Sequence, residues 1–108
     1  MLLSCNNRTD INADRKSQLW SMIKSNNADS IIKATIEIKK AKDTSMINAL
    51  LYNSYDPRII HRLGLNGKSV YQIKMEALEF VTKITPPKEL TYRPDSVIVN
   101  FYIQELQQ

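Results

Sequence analysis

The stretch GLNGKS, residues 64–69, ends in the Gly-Lys-Ser of a phosphate-binding loop. Such a loop needs G-x-x-x-x-G-K-[ST], because successive backbone N–H groups wrap the phosphates while the lysine reaches the outer ones. Counting back from Gly67, the first glycine belongs at position 62, which is Arg62, and measured from Gly64 the loop is two residues too short. The preceding Asp56-Pro57-Arg58-Ile59-Ile60-His61-Arg62 is not the apolar strand that such a loop follows, and no later apolar strand ends in a metal-binding aspartate. The pattern reads instead as a turn before a helix. Asn66 and Gly67 tolerate positive φ, and Ser69-Val70-Tyr71-Gln72 is an S-x-x-Q capping box, with the serine accepting an N–H and the glutamine reaching back. Lys68 then lies in solvent beside the turn, and no nucleotide or other cofactor is implied.

His61 is the only histidine, so a serine or cysteine nucleophile would have to use it. Asp56, His61 and Ser69 fall within fourteen residues and could be drawn as a triad. A triad is defined by geometry, however, and Asp56 and Ser69 already have capping roles. Glu76 and Glu79 lie close together on a helix whose other face is core, which makes them a solvated face rather than an acid–base pair. One cysteine excludes an internal disulfide, and one cysteine with one histidine cannot supply a Cys/His zinc site. No catalytic residue and no metal ligand is assigned, and a non-enzymatic role is expected. The constellation that remains is positive: Arg58, His61, Arg62 and Lys68 would form an anion- or partner-binding rim if the Asp56 turn and the Gly64 to Lys68 loop meet at one end of the helices, aided by the N-terminus of the capped helix. An arginine at the third position of such a turn also braces neighbouring carboxylates or carbonyls. Tyr52, Tyr55, Tyr71, Tyr92, Phe101 and Tyr102 could stack bases if interleaved with exposed cations. Most fall on or beside apolar stripes, so core packing is expected of them.

These residues must be held by a single domain, since 108 residues suffice for one core and not two. Hydrophobic residues at 43% and charged residues at 24% lie near globular averages. Two glycines, with four prolines outside the periodic runs, favour helices joined by short loops. No apolar run is long enough to cross a bilayer. A polar leader, residues 1–11, precedes a helical domain, residues 12–108. Asn12 caps a helix to about Ser25 that buries Leu19, Trp20 and Ile23. Asn27 caps a second, striped by Ile31, Ala34, Ile38 and Ala41. Asp43 or Thr44 opens a third that buries Met46, Ile47, Leu50 and Leu51. Asp56 and Pro57 have the chemistry of an N-cap and a first helical residue, so a short helix is expected up to Gly64. The capped helix runs from Val70 to Thr85, with Val70, Ile73, Ala77, Val81 and Ile84 on its stripe and Met75, Leu78 and Phe80 widening it. Pro86-Pro87 stops it. Pro94 or Asp95 starts the last helix, with Val97, Ile98, Phe101, Tyr102 and Leu106 inward. The fold class is all-α.

Within that frame the pairing of LLYNSYDPRI with a helix ending KMEALEFVTKI resembles a HEAT-type repeat, in which an Asp-Pro-Arg-like turn joins two helices and the second carries an Ala-Leu pair. The string DPRI, then SVYQ-x-KM-x-AL, then PP and YRPDS, is similar to small bacterial proteins of this HEAT-like kind, over roughly residues 28 to 104. The inserted HRLGLNGK departs from an ordinary repeat. The resemblance implies a short HEAT-like array or irregular bundle of antiparallel helical hairpins.

Stacked hairpins offer an extended face, so protein binding is the expected function. Its rival is nucleic-acid binding through a basic surface: the net charge is +4 and the densest cluster is Lys39, Lys40 and Lys42. That cluster also reads as a solvated helix end whose lysines complement the dipole. At the start of the chain, Leu2-Leu3-Ser4-Cys5 resembles a lipoprotein lipobox followed by a polar tether, which implies lipidation of Cys5 and a place in the cell envelope ahead of the cytoplasm, although the basic and apolar stretches of a signal peptide do not precede it.

Overall fold

The computed structural model describes residues 11–62 and 64–106. The chain is mostly helical. Helix α1 spans Ala13–Lys24, α2 Ala28–Ala41, α3 Ile47–Leu51, α4 Val70–Thr82 and α5 Ser96–Leu106. Each of the first two begins where its cap residue satisfies a free backbone donor: Asn12 accepts from the Arg15 N–H and Asn27 from the Ser30 N–H. Asp43 accepts from the Ser45 N–H and opens a 3-10 turn, Thr44–Met46, that runs into α3. Asp43 also receives the Ile11 N–H and lies 3.6 Å from the Lys16 ammonium, which fastens the entry to α1 against the end of α2.

The segment following α3 is not the short helix expected from Asp56-Pro57. It is extended and forms a hairpin. β1, Ile59–Ile60, pairs antiparallel with β2, Lys68–Ser69, with Ile59 opposite Ser69 and Ile60 opposite Lys68. Further bonds lengthen the ladder: Gly67 N–H to Ile60 C=O, Val70 N–H to Arg58 C=O and Tyr71 N–H to Asp56 C=O. Two features override the capping signal. The Asp56 carboxylate closes on the Arg58 N–H and guanidinium instead of on a first helical turn. Asn66 and Gly67 both sit at positive φ, +51° and +83°, beneath a Lys68 N–H to Leu65 C=O bond, a tight turn within the connection of residues 61–67 that brings Lys68 back beside Ile60.

Helix α4 then starts on Ser69, whose hydroxyl accepts the Gln72 N–H at 3.0 Å. The returning arm of the capping box is not made: the Gln72 amide points forward to Glu76, and the Ser69 backbone belongs to the ladder opposite Ile59. The helix ends at Thr82, short of Thr85, on a left-handed Lys83 whose N–H returns to the Glu79 carbonyl. α4 is the centre of the molecule. It packs against α2 and α3, α1 covers the other side of α2, and α5 reaches α3. Accordingly α4 buries Val70, Tyr71, Ile73, Lys74, Met75, Ala77, Leu78 and Val81, more than one stripe. α5 is tied to the end of α4 by the Tyr102 hydroxyl, which donates to the Ile84 carbonyl at 2.7 Å.

Candidate binding surfaces

Arg58, His61, Arg62 and Lys68 do lie in one hairpin, and three of them already face carboxylates. The Arg58 guanidinium grips both Asp56 oxygens and reaches across to the Asn26 carbonyl at 2.9 Å. Arg62 meets Asp29 at 2.9 Å, at the first turn of α2, and Lys68 meets Glu76 at 2.9 Å, two turns into α4. His61 is exposed, its ring beside Gly67. Burial alone would raise the Asp56 carboxyl, but the Arg58 side chain and N–H hold it below the ordinary carboxylate range. With Asp56 committed to Arg58 and the Ser69 hydroxyl to Gln72, each of these two residues has structural work. Cys5 lies outside the described residues. Among the described residues no group of His, Cys, Asp or Glu could hold a metal, and no helix is long and apolar enough to cross a membrane.

Two other surfaces are more open. The first joins the end of α1 to the loop after α3. Tyr52 and Tyr55 are 43% and 51% exposed, against the expectation of core packing, which holds for Tyr71 and Tyr102. Trp20 meets the Tyr52 ring edge-on at 6.0 Å, and the Lys24 ammonium lies over both rings. Beside them a hollow of about 450 Å³ is lined by Asn26, Asn53, Tyr55, Asp56, Pro57 and Arg58. The loop is pinned from two sides, by the Arg58 bond to Asn26 and by Lys74. The latter is buried in α4 and donates to the Tyr52 carbonyl at 2.6 Å. Burial pushes the Lys74 ammonium down to about 8, opposed by the nearby Asp56 charge and assisted by Arg58.

The second lies between α2 and α4. Ile36, Leu65 and Phe80 form its floor, and Lys39, Lys40 and Lys42 its wall, enclosing about 440 Å³. Phe80, placed by its spacing with the core stripe, is 45% exposed, because it falls at the edge of the seam where α2 ends. The lysine cluster was legible; the ring at its centre was not, since periodicity gives the face of a helix but not where a neighbouring helix stops covering it.

Scans against protein-family models, curated proteins and solved structures find nothing that matches this chain. The geometry therefore carries the functional argument.

Proposed function

We propose that this protein is a non-enzymatic protein-interaction module, built as a short HEAT-like pair of helical hairpins, α1 with α2 and α3 with α4. The HEAT-like part of the reading is supported by the side-by-side packing of α2 and α4. Lys39 and Lys42 at the end of α2 lie over Phe80 near the end of α4, so the second helices of the two hairpins run in the same direction, as in stacked repeats.

The observation that carries the functional reading is the display of Tyr52 and Tyr55 on a loop held rigid by Arg58 and Lys74, with Trp20 and Lys24 alongside. Tyrosine, tryptophan and arginine dominate the energetics of protein interfaces, and a pinned loop loses little conformational entropy when it is bound. The test is quantitative co-purification from the native cell with a Tyr52→Ser/Tyr55→Ser variant. A partner retained by the wild type and lost by the variant supports the reading, and identical protein profiles for the two oppose it.

Nucleic-acid binding is the second reading, favoured by the lysine cluster around the exposed Phe80 ring. It requires affinity for single strands that falls steeply with salt. Attachment to the cell envelope through a lipidated Cys5 is part of the same proposal, and a Cys5→Ala variant that fractionates like the wild type would remove it.

A further inference from the structure

Six cations among the described residues meet carboxylates: Arg15, Lys16, Arg58, Arg62, Lys68 and Lys88. Lys39, Lys40 and Lys42 do not pair with any carboxylate among the described residues. They stand together at the C-terminal end of α2. Their complement to the helix dipole explains positive charge there. It does not explain why the charge surrounds a concave apolar floor. The Lys39 and Lys42 ammoniums each lie 5.2 Å from the centroid of the Phe80 ring, and Ile36 and Leu65 complete the floor beside it. Lys42 reaches this position from a left-handed turn, φ +54°, that a glycine would adopt without strain.

We infer that this hollow is a docking site for an acidic peptide segment of a protein partner, one apolar side chain entering between Ile36, Leu65 and Phe80 while flanking carboxylates meet Lys39, Lys40 and Lys42. The volume of about 440 Å³ lies within the range of small-ligand sites and accommodates a single large side chain. Charge complementarity fixes the sign of the partner. The shape of the floor selects its class. A nucleic-acid strand is held by successive stacking rings, whereas here a single ring is set beside two aliphatic side chains in an open hollow that one protruding apolar side chain can enter. The site is separate from the Tyr52 and Tyr55 surface, although it rests on the same view of the chain as a protein binder.

The test is fluorescence anisotropy with a labelled, end-blocked peptide Asp-Glu-Phe-Glu-Asp. It is run beside the same peptide with serine in place of phenylalanine, and beside a labelled oligothymidylate. The wild type should bind the phenylalanine peptide at least roughly ten-fold more tightly than the serine peptide. Phe80→Ser should abolish that preference, and Lys39→Gln/Lys42→Gln should weaken the phenylalanine peptide by about ten-fold or more. All these positions are at the surface, and unchanged circular dichroism spectra keep the comparison valid. Equal binding of the two peptides, absence of binding, or tighter Phe80-dependent binding of the oligothymidylate would each overturn the inference. Should it fall while the Tyr52→Ser/Tyr55→Ser variant still loses a partner, protein binding stands and only this second site is lost.

Discussion

Lys74, 1% exposed, donates from its ammonium to the backbone carbonyl of Tyr52 at 2.6 Å, twenty-two residues earlier in the chain. This one bond fixes the end of α3 to the centre of α4, and it places a charged group where burial disfavours charge.

The first prediction concerns pH. Lys74 titrates near 8 in the folded chain against 10.5 when free, because burial outweighs the attraction of Asp56. Between those values the unfolded chain binds the extra proton, so stability rises with pH, by at most just over 1 kcal/mol per pH unit. The neutral amine keeps its N–H donors, so the bond to Tyr52 survives. Burial raises the hydroxyls of Tyr71 and Tyr102 above the ordinary value of 10, so stability falls again as pH climbs beyond that value. Urea melts from pH 7 to 11 should show a maximum between about 8.5 and 10, and Lys74→Met should remove its rising limb.

A second prediction follows from Asp56. The residue is 8% exposed, and its carboxylate takes three hydrogen bonds from the Arg58 guanidinium and one from the Arg58 backbone N–H. Arg58→Ala should cost about 2 kcal/mol in a urea melt, because the buried charge is left with little beyond the Arg58 backbone N–H. Arg58→Lys should recover less than half of that, since a single ammonium cannot reproduce the two-pronged contact. The contribution is present at neutral pH and is lost as acid protonates Asp56 below the ordinary carboxylate range.

The third prediction compares neighbours. Ser69→Ala should cost about 1 kcal/mol, through loss of the cap on α4. Lys68→Ala should cost less than about 0.5 kcal/mol, because its bridge to Glu76 is partly solvated on both sides. The reverse order in denaturant melts would count against the cap. ATP or GTP should leave the melting temperature unchanged, since a ligand specific for the native state raises it.

The fourth prediction is a gain. Lys83 ends α4 at φ +61°, a conformation that disfavours a side chain. Lys83→Gly should raise stability by about 0.5 kcal/mol, the relief of strain being partly offset by the freer unfolded chain. Thermal melts of the two proteins read this directly.

The helix starts were legible in the sequence because capping is local: Asn12, Asn27, Asp43 and Ser69 each accept a backbone N–H two or three residues ahead. Asp56 carried the same signal and misled, since its outcome depended on Arg58 and on a strand partner about ten residues away. The positive rim was also half legible. Its four residues share one hairpin, but Asp29 and Asn26, which engage two of them, come from the distant start of α2. Burial was least legible around α4. One stripe predicts one covered face, whereas a central helix is covered on several, which buries Lys74 and leaves Phe80 at the margin where α2 ends.

The measurement that most directly tests protein binding through the Tyr52 and Tyr55 surface is photo-crosslinking in the native cell. A benzophenone amino acid would replace Tyr55, with a parallel substitution of Asp14, exposed at the opposite end of α1 from Lys24. The account predicts a discrete protein adduct from position 55 that is absent from position 14. Adducts equally strong from both positions, a nuclease-sensitive adduct, or none from position 55 would contradict it.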